Sequence, residues 1–362
     1  MKLLVDARVG WGHGIGRVIA NTVPRVARLR PTWQFDALVS EDKLEAAQAA
    51  FAGTDNLRAV SCPVAPFSLG EQTSLPRYAR GYDLTWFTNY WVPLAWRGRF
   101  VVTVHDMLHL LPEFTPASPL KRILARQTFG KARRAARAVM FISRYTEQVF
   151  REMVGDPRHG ETVTLGGDHL NYDLRKPVSQ RSRRLLVVAA SKKHKNFALL
   201  FEAWHRAQVG RDWTLTVISP RELLLNAVDI GELAGQDDRI DIRRSVSNEE
   251  LAGLYADTAI LLMPSLYEGF GLPLLEGMLA GALCISSNAG SMVEVAQGAF
   301  VQFVNGNDLV GWVAAIEEAC ATIDRGELDL SLMLQHNSEH AARFSWDRTA
   351  HQIAAVLDNA AA

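Results

Sequence analysis

The chain has 362 residues, 48% of them hydrophobic and 22% charged, and its 39 basic and 39 acidic side chains cancel. That length and composition suggest about two ordinary globular domains, and no apolar run approaches the ~20 residues of a membrane-spanning helix. Cys62, Cys284 and Cys320 are widely spaced and form no CxxC pair, which argues against a disulfide framework and a structural zinc.

Reading from the N-terminus, MKLLVDARVG lacks the long apolar region and cleavage site of a signal peptide, so a cytoplasmic location is expected. KLLVD reads as a strand, followed by a glycine-rich turn and a helix around residues 16–29. FDALV, DLTWF, FVVTVHD and AVMFIS are short apolar strands, and VTLGGDH closes the run. NYDLRKPVSQRSRR is poor in apolar residues and suits an interdomain linker. The alternation then restarts with LLVVAAS (strand), KNFALLFEAWHRAQ (helix), WTLTVIS (strand), DIRRSV (strand), SNEELAGLYADT (helix) and AILLMPS (strand). LPLLEGMLAG (helix), ALCISSN (strand) and SMVEVA (short helix) follow. Short apolar runs without polar alternation suit strands buried on both faces, and helices between them imply βαβ units. Two doubly wound α/β domains in tandem are therefore expected. Ser247–Glu250 and Ser291–Glu294 match the capping box, in which serine caps a helix and glutamate reaches back.

Charge divides unevenly. Through Asp168 there are 22 basic and 15 acidic residues, against 17 and 24 in the remainder. A basic first half fits an anionic partner, and drift in surface composition fits equally. Residues 121–137 carry seven basic side chains and no acidic one, with Ile123, Leu124 and Phe129 interleaved. This is either a segment for an anionic membrane surface or a solvated helix face. No nucleic-acid reader motif accompanies it.

Four stretches carry candidate chemistry. Gly10, Gly12, Gly14 and Gly16 in GWGHGIGR fit neither the dinucleotide fingerprint nor a P-loop, but they join a strand to a helix where backbone can approach a phosphate or sugar. His105 and Asp106 end a strand, where ligands of open α/β sheets bind. Lys192, Lys193 and Lys195 precede a helix start near Asn196, a placement that favours a bound anion; the competing reading is a solvated loop. In EGFGLPLLE the glycines and Pro273 start a helix near Leu272 or Pro273. Glu268 then lies in the preceding loop and Glu276 in the first turn, flanking an anion-ready helix N-terminus.

The stretch SNEELAGLYADTAILLMPSLYEGFGLPLLEGMLAGALCISSNAGSMVEV, with its E-x7-E spacing from Glu268 to Glu276, resembles the signature of retaining GT-B glycosyltransferases of the family named glycosyl transferases group 1 (glycosyltransferase family four). HGIGR, TVHD, VMFISRYT, VTLGGDH, KHKNFALL and FSWDRTA fall in the expected order along nearly the whole chain. The resemblance implies two Rossmann-like domains facing across a cleft. Residues 1–172 would bind the acceptor, 173–345 the nucleotide sugar, and 346–362 would form a helix crossing back to the first domain. It implies that Lys195 binds the diphosphate, Glu268 the transferred sugar, and the backbone of Phe270, Gly271 and Leu272 both. Glu276 would hold the ribose, His105 would lie by the reacting sugar, and Gly16 near the diphosphate. Asp106, Tyr90 and Trp91 are candidates for the acceptor, although the aromatics around Trp86, Tyr90, Trp91 and Trp96 fit a core equally well.

Many members carry an arginine five residues before the lysine, where this chain has Ala190, and His194 stands where a second arginine is usual. Either Lys192 or Lys193 compensates, or leaving-group stabilisation is weaker. No Asp-x-Asp pair occurs, so a metal-independent enzyme with no cofactor beyond its nucleotide-sugar substrate is implied. The pattern is closest to bacterial polysaccharide mannosyltransferases. This points to GDP-mannose, with UDP-glucose or dTDP-rhamnose as alternatives, and to a saccharide or lipid-linked saccharide acceptor. A non-catalytic nucleotide-sugar-binding protein is the reading from another class.

Overall fold

The computed structural model describes residues 1–11, 14–68, 70–114, 119–172, 178–189, 192–219, 224–225, 228–229, 237–326 and 330–362. Gly12 and Ala190 lie outside them. The chain divides into two compact units, Met1–Gly166 with Phe344–Ala362, and Gly167–Arg343.

In the first unit, β1 (Lys2–Asp6), β2 (Gln34–Val39), β3 (Leu57–Ser61), β4 (Leu84–Phe87), β5 (Phe100–Val104), β6 (Ala138–Phe141) and β7 (Gly160–Thr162) form one sheet. Their order is β3-β2-β1-β4-β5-β6-β7, and all pairs are parallel. Central strands such as FVVTV are buried throughout, because helices cover both faces. The helices Gly14–Leu29 and Trp346–Ala361 pack on one face, where Ile19, Val23, Ile353 and Leu357 meet Leu3, Val5 and Ala37. Arg25 of the first of these helices and Arg30 just past its end pair with Asp347 and Asp358 of the second.

In the second unit, β8 (Ser182–Val188), β9 (Thr214–Ile218), β12 (Ile240–Arg243), β13 (Thr258–Met263), β14 (Leu283–Ser287) and β15 (Val301–Val304) form a parallel sheet in the order β12-β9-β8-β13-β14-β15. A separate hairpin pairs β10 (Leu224–Leu225) with β11 (Val228–Asp229). The fully buried rings of Trp204, Trp213 and Trp312 anchor the core beneath the sheet. Both sheets share one topology. Strands run outward from a central strand, then the chain crosses to that strand's other side. The strand order therefore reverses between β1 and β4 and between β8 and β13, and ligands of such sheets bind off the carboxyl ends there.

Three local expectations need correction. VTLGGDH is not a strand. The edge strand is Gly160–Thr162 just before it, and the apolar Val163 and Leu165 are buried from an extended connection instead. Ser291 is not a helix cap. Gly290 takes that position with φ 60°, and the Ser291 hydroxyl donates to the Glu268 carbonyl at 2.8 Å. In the basic helix Pro119–Ala135, Phe129 is buried and stacked on Tyr90, so the exposed apolar residues are Leu120 and Ile123. The other capping box does form in part. Ser247 accepts from the Glu250 amide at 3.1 Å, while the Glu250 carboxylate turns to Arg243.

Candidate active site

The second unit builds its site from the two loops at the reversal point. The loop after β8 makes a short turn, Lys193–Lys195, and ends at Asn196, which adopts the left-handed conformation with φ 57°. Asparagine tolerates that backbone better than most residues. Its side-chain amide donates to Gly306 O at 2.7 Å and Pro264 O at 3.3 Å, and the Leu266 amide donates to His194 O at 2.7 Å. The Leu266 amide and the Asn196 side chain thus tie the loops after β8 and β13 together, and Asn196 also reaches the turn after β15. This places the Lys195 ammonium 2.5 Å from Glu268 Oε1, with the two side chains 14% and 12% exposed. Burial alone would raise the Glu268 pKa. The charge of Lys195, then that of His194, reverses this and holds the carboxyl below its ordinary value. Glu268 is therefore ionised at neutral pH and accepts hydrogen bonds.

The helix Leu272–Leu279 begins beside this pair. Gly271 precedes it with φ 92°, a conformation that favours glycine, and Pro273 lies in the first turn where its missing amide costs nothing. Phe270, Gly271 and Leu272 therefore lead into a helix N-terminus, which attracts anions. Glu276 departs from expectation. As the fifth helical residue it falls in the second turn, and it is wholly buried rather than on the rim. Gly277 brings the helix against β13: a Cβ there would lie 2.3 Å from Leu261 Cδ2. Its neighbour Glu276 is carried inward with it. The Tyr255 hydroxyl donates to Glu276 Oε2 at 2.5 Å, and His169 Nε2 lies 3.2 Å from Oε1.

In the first unit, His105 follows β5 and is 7% exposed. Its Nε2 lies 2.8 Å from Thr88 O after β4, so Nε2 carries the proton and Nδ1 is left as the acceptor. Burial, the dominant influence, lowers its pKa against the opposing effects of Thr88 and Asp106 and keeps the imidazole neutral. Val18 and Thr22 of the helix Gly14–Leu29 line the small crevice at this histidine. Gly16 belongs to the same helix, where a Cβ would meet Gly10 O at 2.6 Å and Trp11 Cα at 2.7 Å. Its amide donates to Gly10 O at 2.9 Å, so local chain closure already requires a glycine. Asp106 Oδ1 accepts from the Leu108 amide at 3.0 Å. Tyr90 lies in the core with its ring stacked on Phe129, as do Trp86 and Trp96, whereas Trp91 is half-buried. Among the described residues, no three His, Cys, Asp or Glu side chains gather as a metal site.

Residues 182–322 match the family model described as glycosyl transferases group 1. The chain carries a group 1 glycosyltransferase domain. The chain is 29% identical over 284 residues to the MMP alpha-(1->4)-mannosyltransferase of Mycolicibacterium hassiacum, covering 72% of this chain and 66% of that protein. It is 26% identical over 242 residues to the GDP-mannose:cellobiosyl-diphosphopolyprenol alpha-mannosyltransferase of Komagataeibacter xylinus, covering 65% and 59%. These matches span less than two thirds of either relative. Sucrose-phosphate synthase from Thermosynechococcus elongatus superposes with a TM-score of 0.75 over 99% of this chain and 98% of its own, at 16% identity. That likeness is one of fold, and it makes the two Rossmann-like units a GT-B fold.

Within the group 1 domain the structure brings Lys195 and Glu268 together and sets the helix N-terminus after Gly271 beside them. Glu276 shares that helix but faces Tyr255. His105, Asp106, Tyr90, Trp91 and Gly16 belong to the other unit. Sequence reasoning missed Asn196, Tyr255 and His169 as parts of the site. Asn196 closes the KHKN turn and was legible as a left-handed residue at a helix start. Tyr255 sits among apolar helix residues and gave no sign of a polar partner.

Proposed function

We propose that the chain is a retaining, metal-independent glycosyltransferase that moves mannose from GDP-mannose to a saccharide or lipid-linked saccharide acceptor in bacterial polysaccharide synthesis. The Lys195–Glu268 pair at the β8/β13 reversal point carries this reading. An ammonium next to a helix N-terminus suits a diphosphate, and an ionised carboxylate beside it suits sugar hydroxyls. The two mannosyltransferase relatives support mannose, and the name of one supports GDP-mannose as the sugar donor.

In this reading the bond from the sugar C1 to the diphosphate oxygen breaks as the acceptor oxygen bonds to C1 on the same face. The acceptor proton passes to the leaving phosphate. Lys195 and the helix N-terminus stabilise the charge that develops there, in place of a metal. Glu268 orients the transferred sugar, the backbone of Phe270, Gly271 and Leu272 meets sugar and phosphate, and neutral His105 accepts a hydrogen bond from a hydroxyl near the reacting sugar. Glu276 holds the ribose once Tyr255 yields its place. Leu120 and Ile123, exposed beside Lys121, Arg122 and Arg126, support a peripheral contact with an anionic membrane surface. Among the described residues no helix is long and apolar enough to cross a membrane.

A thermal-shift panel of GDP-mannose, UDP-glucose and dTDP-rhamnose tests the choice of sugar donor. A ligand at 100 times its Kd stabilises by about 2.7 kcal/mol, so GDP-mannose should raise Tm well above the others. A larger shift with another nucleotide sugar would replace GDP-mannose. No shift with any of them would end the reading.

A further inference from the structure

We propose that Phe67 and Trp91 form a subsite for a neutral sugar ring of the acceptor, positioned by the buried carboxylate of Glu71. This rests on the saccharide-acceptor reading above and deepens it.

Phe67 is unusual twice over. Its backbone is left-handed, with φ 64°, and its side chain is 53% exposed. A bulky residue rarely adopts that backbone, and such strain persists only where surrounding structure enforces it. The enforcing group is Glu71, which is fully buried. Its Oε2 accepts from the Phe67 amide at 2.7 Å and from the Trp91 indole N–H at 2.6 Å. One carboxylate oxygen thus fixes both aromatic residues, whose rings meet edge to face at 4.8 Å and 61°. The other oxygen, Oε1, accepts from Arg8 at 2.8 Å. Arg8 also holds both oxygens of Asp6, at 2.8 and 2.7 Å, and donates to Val64 O at 2.7 Å. Asn89 Oδ1 accepts from the Trp91 amide at 3.2 Å, and Tyr90 is locked into the core beside it.

The location is informative. Asp6 ends β1 and Trp91 follows β4, so the aromatic corner stands at the carboxyl edge where the first sheet reverses its strand order. That is where a doubly wound sheet binds its ligand. The chemistry selects a class. A pyranose stacks its C–H face on an aromatic ring while its hydroxyls stay in water. Two rings present enough surface for one sugar and too little for an acyl chain. Beneath them lie two carboxylates against a single guanidinium, which disfavours a phosphorylated ring and favours a neutral one.

Phe67→Ala and Phe67→Gly should each raise the KM for a neutral saccharide acceptor about tenfold, the loss of one stacking contact. Donor KM and acceptor-free donor hydrolysis should stay at wild-type values. The glycine variant relieves the backbone strain and should fold at least as well as wild type. Glu71→Gln leaves one acceptor oxygen, which cannot serve both Arg8 and the two aromatic residues, so it should raise the same KM with donor hydrolysis again unchanged. Binding of cellobiose and methyl α-mannoside, read by saturation-transfer NMR without any sugar donor, separates this subsite from the transferase reading. Phe67-dependent binding by a chain that transfers nothing would keep the subsite and sink the transferase. Normal transfer with unchanged acceptor KM in both Phe67 variants would overturn the subsite. So would the absence of saccharide binding by wild type. Unchanged KM with weakened binding to anionic phospholipid vesicles would overturn it too, and make the corner a lipid contact.

Discussion

Lys195→Met should lower kcat for sugar-donor turnover by about 10²–10³-fold, the range seen when one preorganised group that stabilises developing charge is removed. Methionine keeps most of the aliphatic stem and deletes only the ammonium. Its partner Glu268 is 12% exposed and would be left as an uncompensated buried carboxylate. Breaking one side of a buried pair costs about 3–5 kcal/mol, so the single variant should also unfold at lower denaturant. The burial that Lys195 now opposes would then raise the Glu268 pKa. Adding Glu268→Gln removes the stranded charge. The double variant should regain most of the stability and none of the activity. Denaturation curves and donor turnover on wild type, both single variants and the double variant measure the two effects separately. Recovery of activity together with stability would mean that the pair is structural.

Gly166→Ala should cost at least about 3 kcal/mol, the scale of a clash that a packed core cannot relax. A Cβ at this position would lie 2.2 Å from the Trp346 amide nitrogen and 2.5 Å from the Ser345 carbonyl carbon. Both are backbone atoms, so no rotamer change relieves the contact. They also begin the terminal helix. Ser345 caps it by accepting from the Arg348 amide at 3.2 Å, and Thr349 donates to Thr164 O at 2.8 Å. Trp346, Ala350 and Leu357 are fully buried in the same packing. The substitution should therefore loosen the whole helix Trp346–Ala361 from the first unit and lower the urea midpoint. Gly253→Ala is the control. It lies mid-helix with nothing within 4 Å of the added carbon, and alanine there should be neutral or stabilising by up to about 1 kcal/mol. Equal effects of the two substitutions would contradict this account of the packing.

The central strands were legible because burial on both faces leaves continuous apolar runs such as FVVTV and TAILLM. Of the edge strands, only β12 was legible, through DIRRSV. LRAVS in β3 and VQFV in β15 are partly exposed, and GET in β7 has no apolar residue at all. Each is a strand because a neighbour supplies its hydrogen bonds, which is a tertiary cause. The long helix Leu309–Arg325 was also passed over. In the site, the loop position of Glu268 followed from local glycine and proline chemistry. Its contact with Lys195 did not, since 73 residues separate them and the loops meet through Asn196 on Pro264 and Leu266 on His194. Glu276 shows the opposite failure. Its place on the helix was nearly right, but its burial depends on how closely Gly277 lets that helix approach Leu261. Phe67 and Glu71 left no sequence signal. A left-handed phenylalanine and a buried glutamate are visible only once Arg8 and Trp91 are brought around them.

The most direct test of the central claim is release of GDP from GDP-mannose without acceptor, in EDTA, by wild type and by Glu268→Ala. The predicted result is slow, chelator-resistant hydrolysis by wild type that falls about 10²-fold or more in the variant. Equal rates in the two proteins would contradict the assignment of Glu268 and Lys195 as the site of sugar transfer.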